Sequence, residues 1–240
     1  MSTAWKEEYD LRCRLVEVGK MIWAEKLTTA EGPYLGGGNI SARIPNTDMM
    51  LIKPTGFSIG ALKPEDLSLV KLDGTLISGA KPSSETLFHR TLLKARSDIG
   101  AVVHVHNFWG GVWGCLPKPV PVPAMMWGGG SFLEEVEVLP YHRGGASQEL
   151  ADALVVALKT KNSCILQYHG QVGVGPTIES AYANASKTEE LCKMAWHATA
   201  LAGALSSVKA VGLTEDFRKK MLEMRKAMQE ARRAAGPREE

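Results

Sequence analysis

The chain has 240 residues and a formal net charge of +2, from 28 basic and 26 acidic side chains. This near balance provides no overall positive field to attract nucleic acid, so no nucleic-acid partner is predicted. Hydrophobic residues make up 45% of the chain and charged residues 22%, which is typical of a globular protein and excludes a disordered tail or a fibre. The length fits one domain spanning residues 1–240.

Cysteine usage and hydropathy indicate a cytoplasmic protein. The cysteines are far apart and lack C-x-x-C spacing, which predicts neither a zinc knuckle nor a disulfide framework. The first ten residues carry charged side chains instead of the apolar stretch of a signal peptide. No run approaches the roughly 20 apolar residues that cross a bilayer, so no membrane partner is predicted.

The first half of the chain is predicted to contain two helices separated by strands and turns. Apolar residues at helical spacing over residues 11–22 predict a helix that ends near Leu27. The glycine- and proline-rich segment 34–70 predicts short strands and loops. Ser83 or Ser84 is predicted to cap the next helix, with Glu85 in its first turn.

The second half is predicted to alternate strands with longer helices. In chain order these are a strand over 101–106, a helix over 147–159, a strand over 163–167, a helix over 177–203 and an amphipathic C-terminal helix at about 214–234. The methionine-rich stripe of the last helix is interpreted as core or subunit packing; it consists of Phe217, Met221, Met224 and Met228.

His104 and His106 are the first residues that suggest a particular chemistry. Residues two apart on a strand share a face, so both imidazoles are predicted to point away from Val103 and Val105. Imidazole suits zinc and similar divalent metals, and a catalytic zinc typically has three protein ligands and one open position. His169, at the end of a predicted buried strand, is the candidate third ligand. The remaining histidines lack such a partner and are predicted to be structural or exposed: His89, His142 and His197.

Three short segments are predicted to bind an anion. The turn Gly36-Gly37-Gly38-Asn39 can bring backbone N–H groups close to a ligand. Thr55-Gly56 and Ser83-Ser84 offer hydroxyl and amide donors, the serines at a predicted helix start. None matches a nucleotide-binding glycine loop, which disfavours nucleotide binding. Glu85 is predicted either to favour the helix dipole or to ligate metal and move a proton.

Five motifs occur in a fixed order: Gly38-Asn39-Ile40-Ser41, Pro54-Thr55-Gly56, Pro82-Ser83-Ser84-Glu85, His104-Val105-His106 and His169-Gly170. Together they resemble the class II aldolase/adducin family over about residues 16–202, most closely its fuculose-phosphate aldolase-like branch. The resemblance implies an α/β fold, a single three-layer α/β/α domain with a central, mainly antiparallel sheet. It also implies a homotetramer with active sites between subunits.

The resemblance further implies one divalent metal per subunit, commonly zinc, with manganese or cobalt as alternatives. His104, His106 and His169 match the metal ligands, and Glu85 matches the residue that ligates metal in the resting site and then acts as acid/base. The phosphate of a small-molecule substrate is expected to contact Asn39, Thr55, Gly56, Ser83 and Ser84.

This ligand set predicts a metal-dependent lyase that cleaves a carbon–carbon bond in a small, phosphorylated hydroxy-carbonyl sugar or sugar acid. Retro-aldol cleavage and decarboxylation both leave an enediolate that a divalent metal stabilises. Trp127 lies near the place of the branch's catalytic tyrosine, and no tyrosine follows Tyr182 to match its C-terminal one. A decarboxylase has less need of that proton donor. Trp127 is also predicted to form a wall of the substrate pocket.

Three alternatives stand beside this interpretation. The apolar segment Met125-Met126-Trp127 suits a decarboxylase of an unphosphorylated, aromatic hydroxy-acid. An epimerase ranks lower because that branch typically carries aspartate at the position of Glu85. A non-catalytic, adducin-like scaffold is expected to lack the metal ligands that this chain retains.

Overall fold

A computed structural model describes residues 3–28, 37–127, 130–132, 134–142, 145–205 and 214–234. The helices are α1 (Thr3–Ala24), α2 (Thr86–Ala95), α3 (Phe108–Gly114), α4 (Gln148–Ala157), α5 (Ile178–Ala204) and α6 (Glu215–Ala234). The strands are β1 (Asn39–Arg43), β2 (Met49–Ile52), β3 (Ser68–Lys71), β4 (Leu76–Ser78), β5 (Ala101–Val105), β6 (Met125–Trp127), β7 (Gly130–Phe132), β8 (Glu137–Leu139), β9 (Ser163–Leu166) and β10 (Gly170–Gly175).

Eight of these strands form one sheet in the order β4-β3-β2-β1-β5-β10-β9-β8. Its neighbouring strands are antiparallel except β8 and β9, which run parallel. The prediction of a central, mainly antiparallel sheet is therefore confirmed. The short strands β6 and β7 form a separate antiparallel pair.

Helices cover both faces of the sheet, because successive strand residues point to opposite sides. On one face, Val103 and Val105 belong to a core that includes residues of α1 and α5. On the other face, Val102 belongs to a second core with Phe88 of α2 and with α4. The predicted three-layer arrangement is confirmed. His104, two residues beyond Val102, takes a position on the α2 side that would otherwise suit an apolar residue, and its ring lies edge-on to Phe88 at 5.6 Å.

The observed helix starts can be compared with the predicted ones. The Ser147 hydroxyl accepts a hydrogen bond from Leu150 N, and the Thr177 hydroxyl accepts one from Ser180 N, so α4 and α5 begin where the sequence indicates. The predicted cap of α2 is wrong by one or two residues, because Glu85 itself is the N-cap residue and its side chain makes no capping bond. Ser83 instead forms the preceding turn, in which its carbonyl accepts from Thr86 N.

The C-terminal helix α6 is amphipathic in sequence, and Phe217 and Met224 on it are 42% and 49% exposed. The side chain of Met228 lies outside the described part of the chain, so the packing role of the stripe stays a prediction. Among the described residues, no helix is both long and apolar enough to cross a membrane.

Gly38 fixes how β1 enters the sheet beside β5. Its φ of 86° lies in the left-handed region, and a Cβ there would lie 2.4 Å from the carbonyl oxygen of His104. A Cβ on Gly37 would lie 2.6 Å from His106 Nδ1. Gly37 and Gly38 therefore pack directly on the side chain of His106 and on the backbone of His104.

Gly38→Ala is expected to lower the free energy of unfolding by about 2 kcal/mol or more, because it adds left-handed strain to a backbone clash. Chemical denaturation measures the change. Gly111→Ala in α3 is the control, since open space surrounds its Cβ position and alanine favours a helix by about 0.5–1 kcal/mol. Equal stability of the two variants would contradict the close approach at Gly38.

Candidate metal centre

Four side chains from three parts of the chain converge at one end of the central strands. His104 lies in β5, His106 follows that strand, His169 lies in the turn between β9 and β10, and Glu85 precedes α2. Each offers one ligand atom, and these atoms all lie within 4.8 Å of one another. The structure thus brings together the four residues that sequence reasoning singles out for metal.

Strand pairing accounts for the convergence. Because β10 runs antiparallel to β5, with Gln171 opposite Val105, the turn before β10 lies next to the end of β5. His169 N donates to Leu166 O within that turn, and Tyr168 has a left-handed φ of 57°. The chain reverses tightly there, so His169 projects toward the two histidines of the neighbouring strand.

The spacing of the donor atoms fits a four-coordinate divalent metal. His104 Nε2 lies 3.0 Å from His106 Nε2 and 3.4 Å from Glu85 Oε2, and His169 Nε2 lies 3.2 Å from Glu85 Oε1. Ligands bound tetrahedrally at typical zinc distances are separated by roughly 3.3 Å. The donor types also fit, since imidazole and carboxylate are common ligands of zinc and related metals.

His104 is held in the form that can donate a lone pair. Its Nδ1 lies 2.9 Å from the carbonyl oxygen of Gln171, which can only accept, so Nδ1 carries the hydrogen and Nε2 faces the cluster without one. Burial lowers the pKa of His104 to about 3, which keeps the ring neutral near neutral pH. A hydrogen bond from the distal nitrogen to a carbonyl is the usual support for a metal-binding imidazole.

Glu85 is a largely buried carboxylate. Burial alone would raise its pKa, but the neighbouring His169 and the hydrogen bonds from His169 and Asn39 outweigh burial and hold the pKa below its usual range. The Asn39 Nδ2 donates to Glu85 Oε2 at 2.6 Å. Glu85 therefore stays ionised, which suits both metal binding and proton transfer.

The cluster opens toward His169. The side chain of His104 is 0% exposed and that of Glu85 12%, whereas His169 is 25% exposed. Gly145 lies over the same side, because a Cβ there would fall 2.0 Å from Glu85 Oε1 and 3.1 Å from His169 Cε1. Only a glycine fits this close to Glu85 and His169, and His169 is the most exposed of these three side chains.

Two of the segments predicted to bind phosphate lie side by side next to Glu85. Pro54 pairs with Pro82, Ser83 N donates to the Lys53 carbonyl at 3.2 Å, and Thr55 N donates to the Lys81 carbonyl at 3.0 Å. The residues of interest differ in exposure: Thr55, Gly56 and Ser84 are exposed, whereas Ser83 is buried. Their contact with a phosphate stays a prediction.

Asn39 and Trp127 have different surroundings from the other predicted substrate contacts. Both polar atoms of the buried Asn39 side chain are occupied, Nδ2 by Glu85 and Oδ1 by His89. Its contact with a phosphate stays a prediction, since the amide nitrogen carries a second hydrogen that can be donated. Trp127 lies in β6, and its side chain is outside the described part of the chain, so the substrate wall also stays a prediction.

Two further polar residues escape sequence reasoning. Lys53 is 5% exposed, and burial lowers its pKa to about 8 although the charge of Glu85 opposes the shift. Its only sequence signal is its place between an apolar run and the Pro54-Thr55-Gly56 motif. Glu189 of α5 accepts hydrogen bonds from Trp109 N and Gly110 N at 2.9 Å each, which anchors the start of α3 just after His106.

Comparison with known proteins gives a consistent grouping. Residues 13–196 match the family model described as the class II aldolase and adducin N-terminal domain. The chain is 33% identical to the 5-methylthioribulose-1-phosphate/5-deoxyribulose-1-phosphate aldolase of Rhodospirillum rubrum, over 76% of this chain and 81% of that protein. It is 31% identical to the 3-oxo-tetronate 4-phosphate decarboxylase of Haemophilus influenzae, over 75% and 84%. A solved L-fuculose 1-phosphate aldolase superposes with a TM-score of 0.73 at 25% identity, covering 90% of this chain and 96% of the other.

His106→Ala is expected to weaken binding of a divalent metal ion by about 100-fold or more, because one of four converging donors is lost. Isothermal titration of the metal-free protein with zinc measures the affinity. His197→Ala serves as the control, since that histidine is exposed on α5. Wild-type affinity in the His106 variant would contradict the assignment of this cluster as the metal centre.

Proposed function

This chain belongs to the class II aldolase and adducin family, and on that premise we propose that it cleaves a carbon–carbon bond in a small phosphorylated hydroxy-carbonyl compound with the help of a divalent metal ion. Its aldolase and decarboxylase relatives identify it as a lyase. The observation that carries the proposal is the convergence of three imidazoles and one ionised carboxylate on a single point.

Glu85, His104, His106 and His169 are the residues proposed to hold the ion. We propose zinc, because a site of three imidazoles and one carboxylate suits it, with manganese or cobalt as alternatives. A bound divalent ion supplies positive charge that stabilises the negative charge left on the substrate when the bond breaks. Retro-aldol cleavage and decarboxylation share this requirement, which explains how relatives with both activities share a fold.

Proton transfer is assigned to Glu85. Its Oε2 receives the hydrogen bond from Asn39 and lies near His104, at the buried end of the cluster. Its Oε1 lies 3.2 Å from His169 Nε2, on the more exposed side. Oε1 is therefore the oxygen proposed to take a proton from the substrate or return one, while Oε2 keeps the carboxylate oriented.

An anionic group of the substrate is proposed to lie beside Lys53. The ammonium is buried and interacts electrostatically with Glu85, so it is close to the metal centre. The neighbouring 53–56 and 81–85 segments pair with each other in the same region, and Thr55 and Ser84 are exposed there. A phosphate bound there would offset the cost of burying the lysine charge. The predicted ligands are Asn39, Thr55, Gly56, Ser83 and Ser84.

Glu85→Gln is expected to lower turnover by about 100-fold or more while metal stays bound, because glutamine keeps an oxygen donor but cannot take up a proton. The metal-loaded wild type and variant are assayed with a panel of sugar phosphates and phosphorylated sugar acids. Release of dihydroxyacetone phosphate or glycolaldehyde phosphate identifies retro-aldol cleavage, and carbon dioxide identifies decarboxylation. Unchanged turnover of the variant would remove Glu85 from the mechanism, and an inactive wild type would contradict the proposed reaction.

Lys53→Met is expected to raise KM for the phosphorylated substrate by about 10- to 100-fold, the equivalent of one charge-assisted hydrogen bond, and to leave metal binding intact. KM for the unphosphorylated analogue should change little. Lys20→Met, on the exposed face of α1, controls for the loss of one positive charge. An equal rise in KM for both substrates would contradict the role of Lys53 in phosphate binding.

We also propose a homotetramer in the cytoplasm. Support comes from large hydrophobic side chains that the single chain leaves exposed, since such surfaces commonly mark interfaces; they include Trp5, Tyr9, Phe108, Trp196 and Leu201. All four cysteines are free thiols, which agrees with a reducing compartment.

Light scattering of the purified protein should give a mass four times that of the chain. The mass of a monomer would contradict the assembly.

A further inference from the structure

A chain of buried polar side chains runs from the metal centre into the core on the α2 side of the sheet. Asn39 Nδ2 donates to Glu85 Oε2 at 2.6 Å, and Asn39 Oδ1 is hydrogen-bonded to His89 Nε2. The other ring nitrogen of His89, Nδ1, lies 2.7 Å from Ser41 Oγ. Asn39 is 3% exposed, and Ser41 and His89 are 0% exposed, so these groups have only one another as partners in place of water.

The two periodicities of the fold build this chain of contacts. In β1, Ile40 and Ala42 belong to the core on the α1 and α5 side, so Asn39 and Ser41 face α2. Glu85 and His89 are four residues apart, one helical turn, at the start of α2. Asn39 and Ser41, two residues apart in the strand, therefore face Glu85 and His89, one turn apart at the start of the helix. Along the interface the side chains come alternately from helix and strand.

The order of donors and acceptors allows one arrangement. A carboxylate only accepts, so the Asn39 amide must turn its Nδ2 toward Glu85 and its Oδ1 toward His89. That carbonyl oxygen needs a hydrogen on His89 Nε2. Burial lowers the pKa of His89 to about 3, so the ring is neutral and carries a single hydrogen. His89 Nδ1 is then an acceptor, and the Ser41 hydroxyl donates to it.

We propose that His89 is a positioning residue that sets the direction of the Asn39 amide and, through it, the orientation of the Glu85 carboxylate. Ser41 selects the ring tautomer of His89 that makes this possible. The inference rests on the proposed function of Glu85, and it adds a residue that touches neither substrate nor metal. With the amide reversed, Asn39 Oδ1 would face Glu85 Oε2 and repel it.

A packing role alone does not explain these residues. His89 lies directly against Phe88 of the apolar core on the α2 side, with ring centroids 4.5 Å apart. A leucine at position 89 with an alanine at position 41 would fill these positions without the cost of burying two ring nitrogens and a serine hydroxyl. The polar groups are all satisfied only when their hydrogens follow the one order that directs the amide at Glu85.

Neutron diffraction from crystals of the purified protein locates the hydrogens on His89 and Asn39 without an activity assay. The expected map shows deuterium on His89 Nε2 and none on Nδ1, with both deuterium atoms of the Asn39 amide on the atom nearest Glu85. Deuterium on His89 Nδ1, or an amide turned the other way, would overturn the proposal. An inactive wild type would overturn the proposed function, whereas the neutron map reports on His89 independently of turnover.

Kinetics of four variants then test whether this order of hydrogen-bond donors and acceptors affects kcat. His89→Leu is expected to lower kcat by about 10- to 100-fold with little change in KM or bound zinc, as for other residues that hold a ligand through a hydrogen bond. His89→Gln, whose amide can donate near the position of Nε2, should restore most of kcat. The other two variants, Asn39→Ala and Asn39→Ala combined with His89→Leu, should have the same kcat.

A purely structural role gives a different pattern. In that case His89→Gln would be as impaired as His89→Leu, and the losses from the Asn39 and His89 replacements would multiply in the double variant. Either result overturns the proposal. If His89→Leu does not fold, His89→Gln and Ser41→Ala still decide it. High kcat in the glutamine variant with reduced kcat in the alanine variant supports positioning, and the reverse contradicts it.

Discussion

The architecture of the site depends on keeping one largely buried carboxylate ionised. Glu85 lies where the start of α2 meets β1 and β5, and removal from water alone would favour its protonated form. His169 and the hydrogen bonds from His169 and Asn39 reverse that preference. Because these partners come from β1 and from the turn before β10, the placement of these two strands bears on the charge of this one group.

The same carboxylate links the metal centre to the proposed phosphate site. The segment that precedes α2 pairs with the segment after β2, which places Lys53 and its neighbouring donors beside Glu85. A substrate with a phosphate at one end and a hydroxy-carbonyl group at the other matches this separation of functions. Aldol cleavage and decarboxylation differ in the piece that leaves, and the fixed part of the substrate is common to both.

Sequence patterns predict most of the fold where an element carries its own local signal. Thr177 and Ser147 cap helices that begin where the sequence predicts them, and the alternation around His104 follows from the strand period. The predicted start of α2 is wrong because Glu85 turns toward the histidines. That contact depends on tertiary packing, which no local sequence pattern contains. Its serines therefore form a turn instead of a cap.

The candidate site is predictable in part for the same reason. The H-x-H spacing places two imidazoles on one face, but the approach of His169 requires β5 and β10 to be neighbours, which spacing along the chain does not specify. Lys53 and His89 resemble ordinary polar residues in the sequence. Their importance emerges only when folding removes both from water. Asn39 likewise has its side chain engaged by Glu85, a contact between residues distant in the chain.

X-ray absorption spectroscopy of the zinc-loaded protein tests most directly whether these four side chains hold one ion. The account predicts a shell of nitrogen and oxygen donors at about 2.0–2.1 Å, with multiple scattering from three imidazole rings. A shell that contains sulfur, or one with scattering from a single imidazole or none, would contradict it.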